Sequence, residues 1–276
     1  MKPWLKIFLT GLALWAAAVI VTLWTDNINL IPTVVLLGSF LVPVTFVVWA
    51  FAQARTSEVT VELLFKAFLI GGILGVLGAS ILESYLRPSL VMYLGVGLIE
   101  EGVKLAALML ITRHLRVRTI RDGMVLGATV GFGFAAFESA GYAFTSMFTR
   151  DGLSIGQMVE TEVLRGILAP VGHGLWTAII GGALFAAGGR LAGKVILTYL
   201  GVSVLHALWD SMSGIAIAVT LVLTGQPWQF QLLRIGKVPG VTNSQVHLYT
   251  ALEWGGLIVI SLGALFWARS LSRSER

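Results

Sequence analysis

The sequence predicts an all-α, polytopic membrane protein of about eight transmembrane helices with both termini in the cytoplasm. Three observations lead there. Of its 276 residues, 57% are hydrophobic and 12% charged, and a mean hydropathy of +0.88 lies far above that of a soluble domain. Apolar runs of about 20 residues, the length a bilayer core requires, recur at roughly 4–24, 30–52, 63–82, 90–112, 123–148, 165–188, 195–223 and 249–268. The basic residues gather in every second connection between those runs.

The elements follow in order. Lys2 and Lys6 ahead of an apolar stretch give the first run the look of a signal peptide. Its apolar part is too long for one, and no polar cleavage region follows before the run resumes, so it is read as helix one. The second run holds Pro32 and Pro43, and the missing N–H and ring clash of proline predict a kink. Runs three to seven follow without a soluble insertion, and Pro170 stands inside the sixth, where it could break the helix. The loop TGQPWQFQLLRIGKVPGVTNSQVHL then carries Trp228, Phe230, Leu232 and Leu233, a composition suited to the membrane interface. In the eighth run Glu253 lies near the outer end beside Trp254, which an interfacial position explains. No internal repeat or attached soluble domain is read, so residues 1–276 form one membrane-embedded domain.

Orientation comes from charge. Lys2 and Lys6; Arg55; Arg113, Arg116, Arg118 and Arg121; Arg190 and Lys194; and Arg269, Arg273 and Arg276 occupy alternate connections. The other connections hold Asp26, Glu83 with Arg87, Arg150 with Asp151, Glu160 and Glu162, and Arg234 with Lys237. The positive-inside rule places the first set in the cytoplasm. The net charge of +5 is then a matter of topology and anionic lipid, with no nucleic acid implied. The chain has no cysteine, which excludes disulfides and thiolate chemistry.

Ionisable groups in mid-membrane need a reason, since each costs about 2.5–3.5 kcal/mol on insertion scales. The fourth run has Glu100, Glu101 and Lys104, the fifth Glu138, the sixth His173, and the seventh His206 and Asp210. With helices alternating in direction and rising 1.5 Å per residue, these groups share one slab roughly 12–25 Å below the outer surface. Glu100 with Lys104, Phe134 with Glu138, His173 with Thr177, and His206 with Asp210 are i,i+4 pairs, each on one helix face. Gly127, Gly131, Gly133, Gly141, Gly172 and Gly174 allow the helices close approach. Singly, each group has a bland explanation: an ion pair within one helix, a histidine bonded to a carbonyl, a self-satisfied His–Asp pair, a protonated glutamic acid. Together at one depth they point to a shared site.

Glu138, His173 and His206 supply one carboxylate and two imidazoles, a set that suits Zn²⁺ with an open position. Glu100 or Glu101 would be the general base, Lys104 would stabilise the glutamate pair or an oxyanion, and Asp210 would orient His206, with Thr177 a further outer partner of His173. The same residues could act without metal, a glutamate activating water directly. Either way the chemistry is amide hydrolysis in a pocket sheltered from lipid.

The segments EEGVK (Glu100 to Lys104), FAAFE (Phe134 to Glu138), HGLWT (His173 to Thr177) and HALWD (His206 to Asp210) resemble, in order and one to a helix, the motifs EExxK, FxxxE, HxxxT and HxxxD of the PrsW family of intramembrane proteases. The motif-bearing helices, about 90–223, cover half the chain. The resemblance implies a multi-pass protease of a bacterial or archaeal plasma membrane, within the wider group of CAAX- and bacteriocin-processing proteases. Its implied substrate is a membrane-anchored regulator such as an anti-sigma factor. The wider group has histidine where this sequence has Glu138, so a ligand set inferred for those relatives does not transfer unchanged. Two other classes compete. A proton-coupled transporter could use the Glu, His and Asp cluster as a relay, although no inverted repeat is found. A scaffold could use it as glue, although Ser, Thr or Asn would suffice for that.

Overall fold

The computed structural model describes residues 1–54, 56–89, 91–237 and 240–273. Arg55 and Arg276, used above for orientation, and Val238 and Pro239 of the interfacial loop lie outside the described residues. The protein is almost wholly helical, and among the described residues seven helical segments are long and apolar enough to cross a bilayer. The fourth expected span, α5 (Met92–Thr112), is set apart from these seven by its three charges. Its 21 residues still extend about 31 Å, the thickness of a bilayer core.

Helix α1 (Pro3–Thr25) packs along α2 (Ile31–Phe51). In α2, Pro32 occupies the first turn, where its missing N–H has no helical partner to lose, and the helix continues through Pro43 without a break. The third span is composite: α3 (Val61–Leu69), a π-helical turn Ile70–Leu74, and α4 (Gly75–Glu83). The π turn coincides with the closest approach to α6 (Ile120–Ser146), because a methyl on Gly71 would stand 2.8 Å from the Val130 Cα and one on Gly133 would overlap the Phe68 carbonyl. Bulges of this kind re-aim a helix face.

The largest departure from the expected pattern lies in the sixth span. A single helix over about 165–188 was expected, but the chain forms α7 (Ile155–Leu168), a 3₁₀ turn Ala169–Val171, and α8 (His173–Ala186). Pro170 supplies the break: it suits the first residues of the short turn and cannot donate to the helix before it. His173 is therefore the first residue of a new helix, eighteen residues after the start of α7. A two-stranded ribbon, Phe148–Thr149 against Gly152–Leu153, joins α6 to α7.

Helix α9 (Gly193–Thr224) packs against α5 and against α11 (Asn243–Arg273). Between α9 and α11, α10 (Pro227–Arg234) exposes Trp228 and Phe230 and buries Gln229, which exchanges two 3.1 Å hydrogen bonds with Gln245. Helix α6 is the hub, lying against α2, α3, α7 and α8. Its approach to α8 is set by backbone contact, since a methyl on Gly127 would overlap the Thr177 carbonyl and one on Gly131 the His173 carbonyl. Leu108, Leu126, Val130, Trp176, Ile179 and Leu184 fill the core on the inner side of this junction.

Candidate active site

The polar residues singled out in sequence meet in one cluster between α5, α6, α8 and α9. On α5, Gly97 fits so tightly against α9 that a methyl there would overlap the Ser203 carbonyl. That contact fixes the rotation of the helix. Residues at Gly97, Glu101 and Lys104 then point into the bundle, while Tyr93, Val96 and Glu100 line a cavity of about 640 Å³. The adjacent carboxylates are thus divided: Glu100 faces the cavity, and Glu101 is wholly buried behind it.

Lys104, also wholly buried, binds them together. Its ammonium lies 3.0 Å from Glu100 Oε2, 2.8 Å from Glu101 Oε1 and 2.8 Å from His173 Nδ1. Those are three acceptors for three N–H donors. The centroid of the Phe134 ring stands 4.0 Å from the same nitrogen, a cation–π contact that offsets part of the hydration the buried ammonium gives up. If His173 Nδ1 accepts from Lys104, its Nε2 carries the proton and donates to Glu138 Oε2 at 3.1 Å. Glu138 is paired in turn with the guanidinium of Arg165, whose Nε donates to Ser139 Oγ at 2.8 Å and whose plane covers Tyr142.

His206 is held from both sides. Its Nδ1 lies 3.0 Å from Glu101 Oε1, and Trp176 packs against its ring at 4.7 Å between centroids. The opposite nitrogen, Nε2, faces Asp210 Oδ2 at 3.4 Å and Glu100 Oε2 at 3.7 Å. A lone pair aimed at two carboxylates is unfavourable, so this edge calls for a proton on Nε2 or a cation shared with the acids. Ligand atoms of Glu100, His173 and His206 lie within 4.8 Å of one another, with Glu100 Oε2 3.8 Å from His173 Nδ1. Tetrahedral zinc ligands stand about 3.3 Å apart, so the trio would hold a divalent ion after a contraction of up to about 1.5 Å, with the Lys104 ammonium withdrawn from His173 Nδ1. One carboxylate with two imidazoles is also the donor chemistry such an ion takes. The residues fit a metal.

This grouping differs from the trio expected in sequence. Glu138 lies 3.1 Å from His173 but is engaged by Arg165, whereas Glu100, though further from His173 at 3.8 Å, also lies 3.7 Å from His206. Thr177 is buried, yet its Oγ1 has no hydrogen-bond partner among the described residues; it lies against α6, at the closest point of the α6–α8 junction. Asp210 lines the cavity beside His206. Three residues of the chamber were not singled out in sequence: Arg165, Trp176 and Glu83. Glu83 falls beyond the end of an apolar run and reads as loop charge, and Arg165, at the first position of the sixth run, is passed over. Trp176 read as one more apolar residue.

The cavity reaches the surface beside Tyr93 and Tyr142, both exposed. Acid–base chemistry on water, set among bilayer-length apolar helices, places the protein with the intramembrane hydrolases. Over residues 6–235 the chain matches the family described as PrsW family intramembrane metalloprotease, and it belongs to that family. No curated protein and no solved structure matches it significantly. The protein is an enzyme, an intramembrane protease, embedded in the membrane by multiple helices. The family favours proteolysis over the proton-relay alternative.

Proposed function

We propose that the chain hydrolyses a peptide bond of a membrane-anchored protein, of the anti-sigma-factor kind, inside the chamber floored by Glu100, His173 and His206. The observation that carries this reading is the placement of Glu100, which faces the cavity and stands within 4 Å of both imidazoles. Both termini lie in the cytoplasm of a bacterial or archaeal cell, so the cavity opens toward the outside, and the substrate enters from there or from the bilayer. The charge asymmetry of the connections supports this orientation.

Glu100, His173 and His206 would hold a divalent cation, and zinc suits one carboxylate and two imidazoles. Such an ion would polarise the scissile carbonyl and acidify a water molecule. Asp210, on the cavity wall one turn from His206, is placed to accept a proton from an attacking water and to return it to the leaving amine. Glu101 fixes the proton of His206 on Nδ1 and keeps Nε2 directed at the cavity. Glu138, neutralised by Arg165, orients the His173 ring. Lys104 offsets the charge of the two glutamates, which would otherwise repel.

A second reading rests on one contact. Lys104 occupies His173 Nδ1 at 2.8 Å, so the network is self-neutralised, and Glu100 could serve as the base with no metal. The two separate in one experiment on detergent-purified protein, with metal content and cleavage of a single-span substrate measured together. The proposal expects about one zinc per chain, lost with activity on chelation and restored by Zn²⁺, and Asp210→Asn reducing cleavage by about 10²–10⁴-fold with zinc retained. Full activity in metal-free protein overturns the metal assignment in favour of Glu100 as base.

A further inference from the structure

The same cavity has a carboxylate that the proposed chemistry does not use. Val76, Ala79, Ser80 and Glu83 of α4 all line it, and their spacing of three, four and seven residues is that of one helix face. The first three are small, so the face is recessed until Glu83 closes it. Glu83 Oε1 is shielded from solvent and has no hydrogen-bond partner among the described residues. Every other carboxylate on the cavity wall has company: Glu100 has Lys104, Glu138 has Arg165, and Asp210 has His206.

Helix register places Glu83 close to the reacting centre. A methyl on Gly78 would stand 3.4 Å from Val103 Cγ1, which puts those two residues level on antiparallel helices. Glu83 is five residues further along α4 and Glu100 three residues back along α5, so Glu83 lies only about 3 Å further outward. Side chains lean toward the N-terminus of their helix. On antiparallel neighbours that inclines Glu83 inward and Glu100 outward, toward each other along the axis. Tyr93, on the same wall, adds an aromatic surface.

We propose that Glu83 is a specificity-determining residue, which receives a Lys or Arg side chain of the substrate beside the scissile bond. The inference rests on the proteolytic reading of this cavity. A half-buried carboxylate without a partner gains most from a cation, and Tyr93 suits the alkyl stem and charge of such a side chain. A positive substrate group there also offsets the acids of the cavity wall without disturbing Lys104. An acidic substrate residue at the same position would be repelled.

The test uses the full chain in liposomes and single-span reporter polypeptides that differ at one residue, Lys, Arg, Gln or Glu, at each of the four positions on either side of the cut. At one position wild-type protein is expected to prefer Lys or Arg over Gln by at least about tenfold in kcat/KM. Glu83→Gln is expected to abolish that preference mainly through KM, and Glu83→Lys to turn it toward Glu. Binding of the same peptides to Asp210→Asn protein, in which Glu83 is intact, gives the preference even if the Glu83 variants fail to fold. Cleavage without any preference, or a preference that survives Glu83→Gln, overturns the subsite and leaves the protease reading standing. A Glu83-dependent binding preference with no cleavage of any reporter upholds the subsite and counts against the protease reading.

Discussion

Helices α1 and α6 are both apolar and long enough to span a bilayer, yet they have opposite places in the molecule. Thr22 is the one buried residue of α1 among the described residues, and Leu9, Leu14, Ile20 and Leu23 point outward. Helix α6 buries most of its length, and its glycines bring it into backbone contact with α3 and α8. Both pass as spans, but α6 is clearly the less hydropathic of the two. What sets α6 apart is the alternation of small residues with a few polar ones, because a helix that must approach others closely and hold a charge can afford neither bulky side chains nor a lipid-facing surface. Function is concentrated where that pattern is found.

The contrast is broken most severely at the hub. A side chain at Gly127 meets the Thr177 carbonyl, a backbone atom that cannot step aside, so Gly127→Val is expected to destabilise the protein by about 3 kcal/mol or more. The yield of folded protein and its melting temperature in detergent would show this. An unchanged melting temperature would mean that α6 and α8 are not in contact. Next in size is Arg165→Gln, which leaves Glu138 uncompensated and free to pull on His173. Losses of about 10–100-fold in kcat are expected, with folding preserved as read by size-exclusion profile. Smallest is Trp15→Phe at the periphery, which removes the 2.8 Å hydrogen bond to Glu162 that ties α1 to α7. About 1 kcal/mol of stability is expected to be lost, with kcat within twofold of wild type. A large fall in kcat would show that α1 takes part in positioning the site.

Much of the chamber was legible in the sequence because helical spacing is a local property. The i,i+4 pairs Glu100–Lys104, Phe134–Glu138 and His206–Asp210 all contribute to it, whereas the break at Pro170 that makes His173 a helix start was open in the sequence and not adopted in the single span expected there. What was not legible depends on packing between helices. The choice between Glu100 and Glu101 is decided by Gly97 against Ser203 on another helix, and no pattern within α5 contains that information. Glu83 reads as connection charge and Arg165 draws no notice because hydropathy marks only where a helix becomes polar, whereas α4 and α7 carry these groups on a cavity-facing side. Glu162 reads in the same way as Glu83, and it is buried against Trp15. The exchange of Glu138 for Glu100 in the convergent trio has the same origin, since Arg165 had first to be found before Glu138 could be seen as engaged.

The central claim is that hydrolysis turns on the cavity-facing member of the adjacent glutamates. It is tested most directly by cleavage of a single-span substrate by Glu100→Gln protein, with its melting temperature recorded alongside. The account predicts a folded protein whose kcat has fallen by at least about 10³-fold. A folded Glu100→Gln protein that keeps a tenth or more of wild-type activity would contradict it.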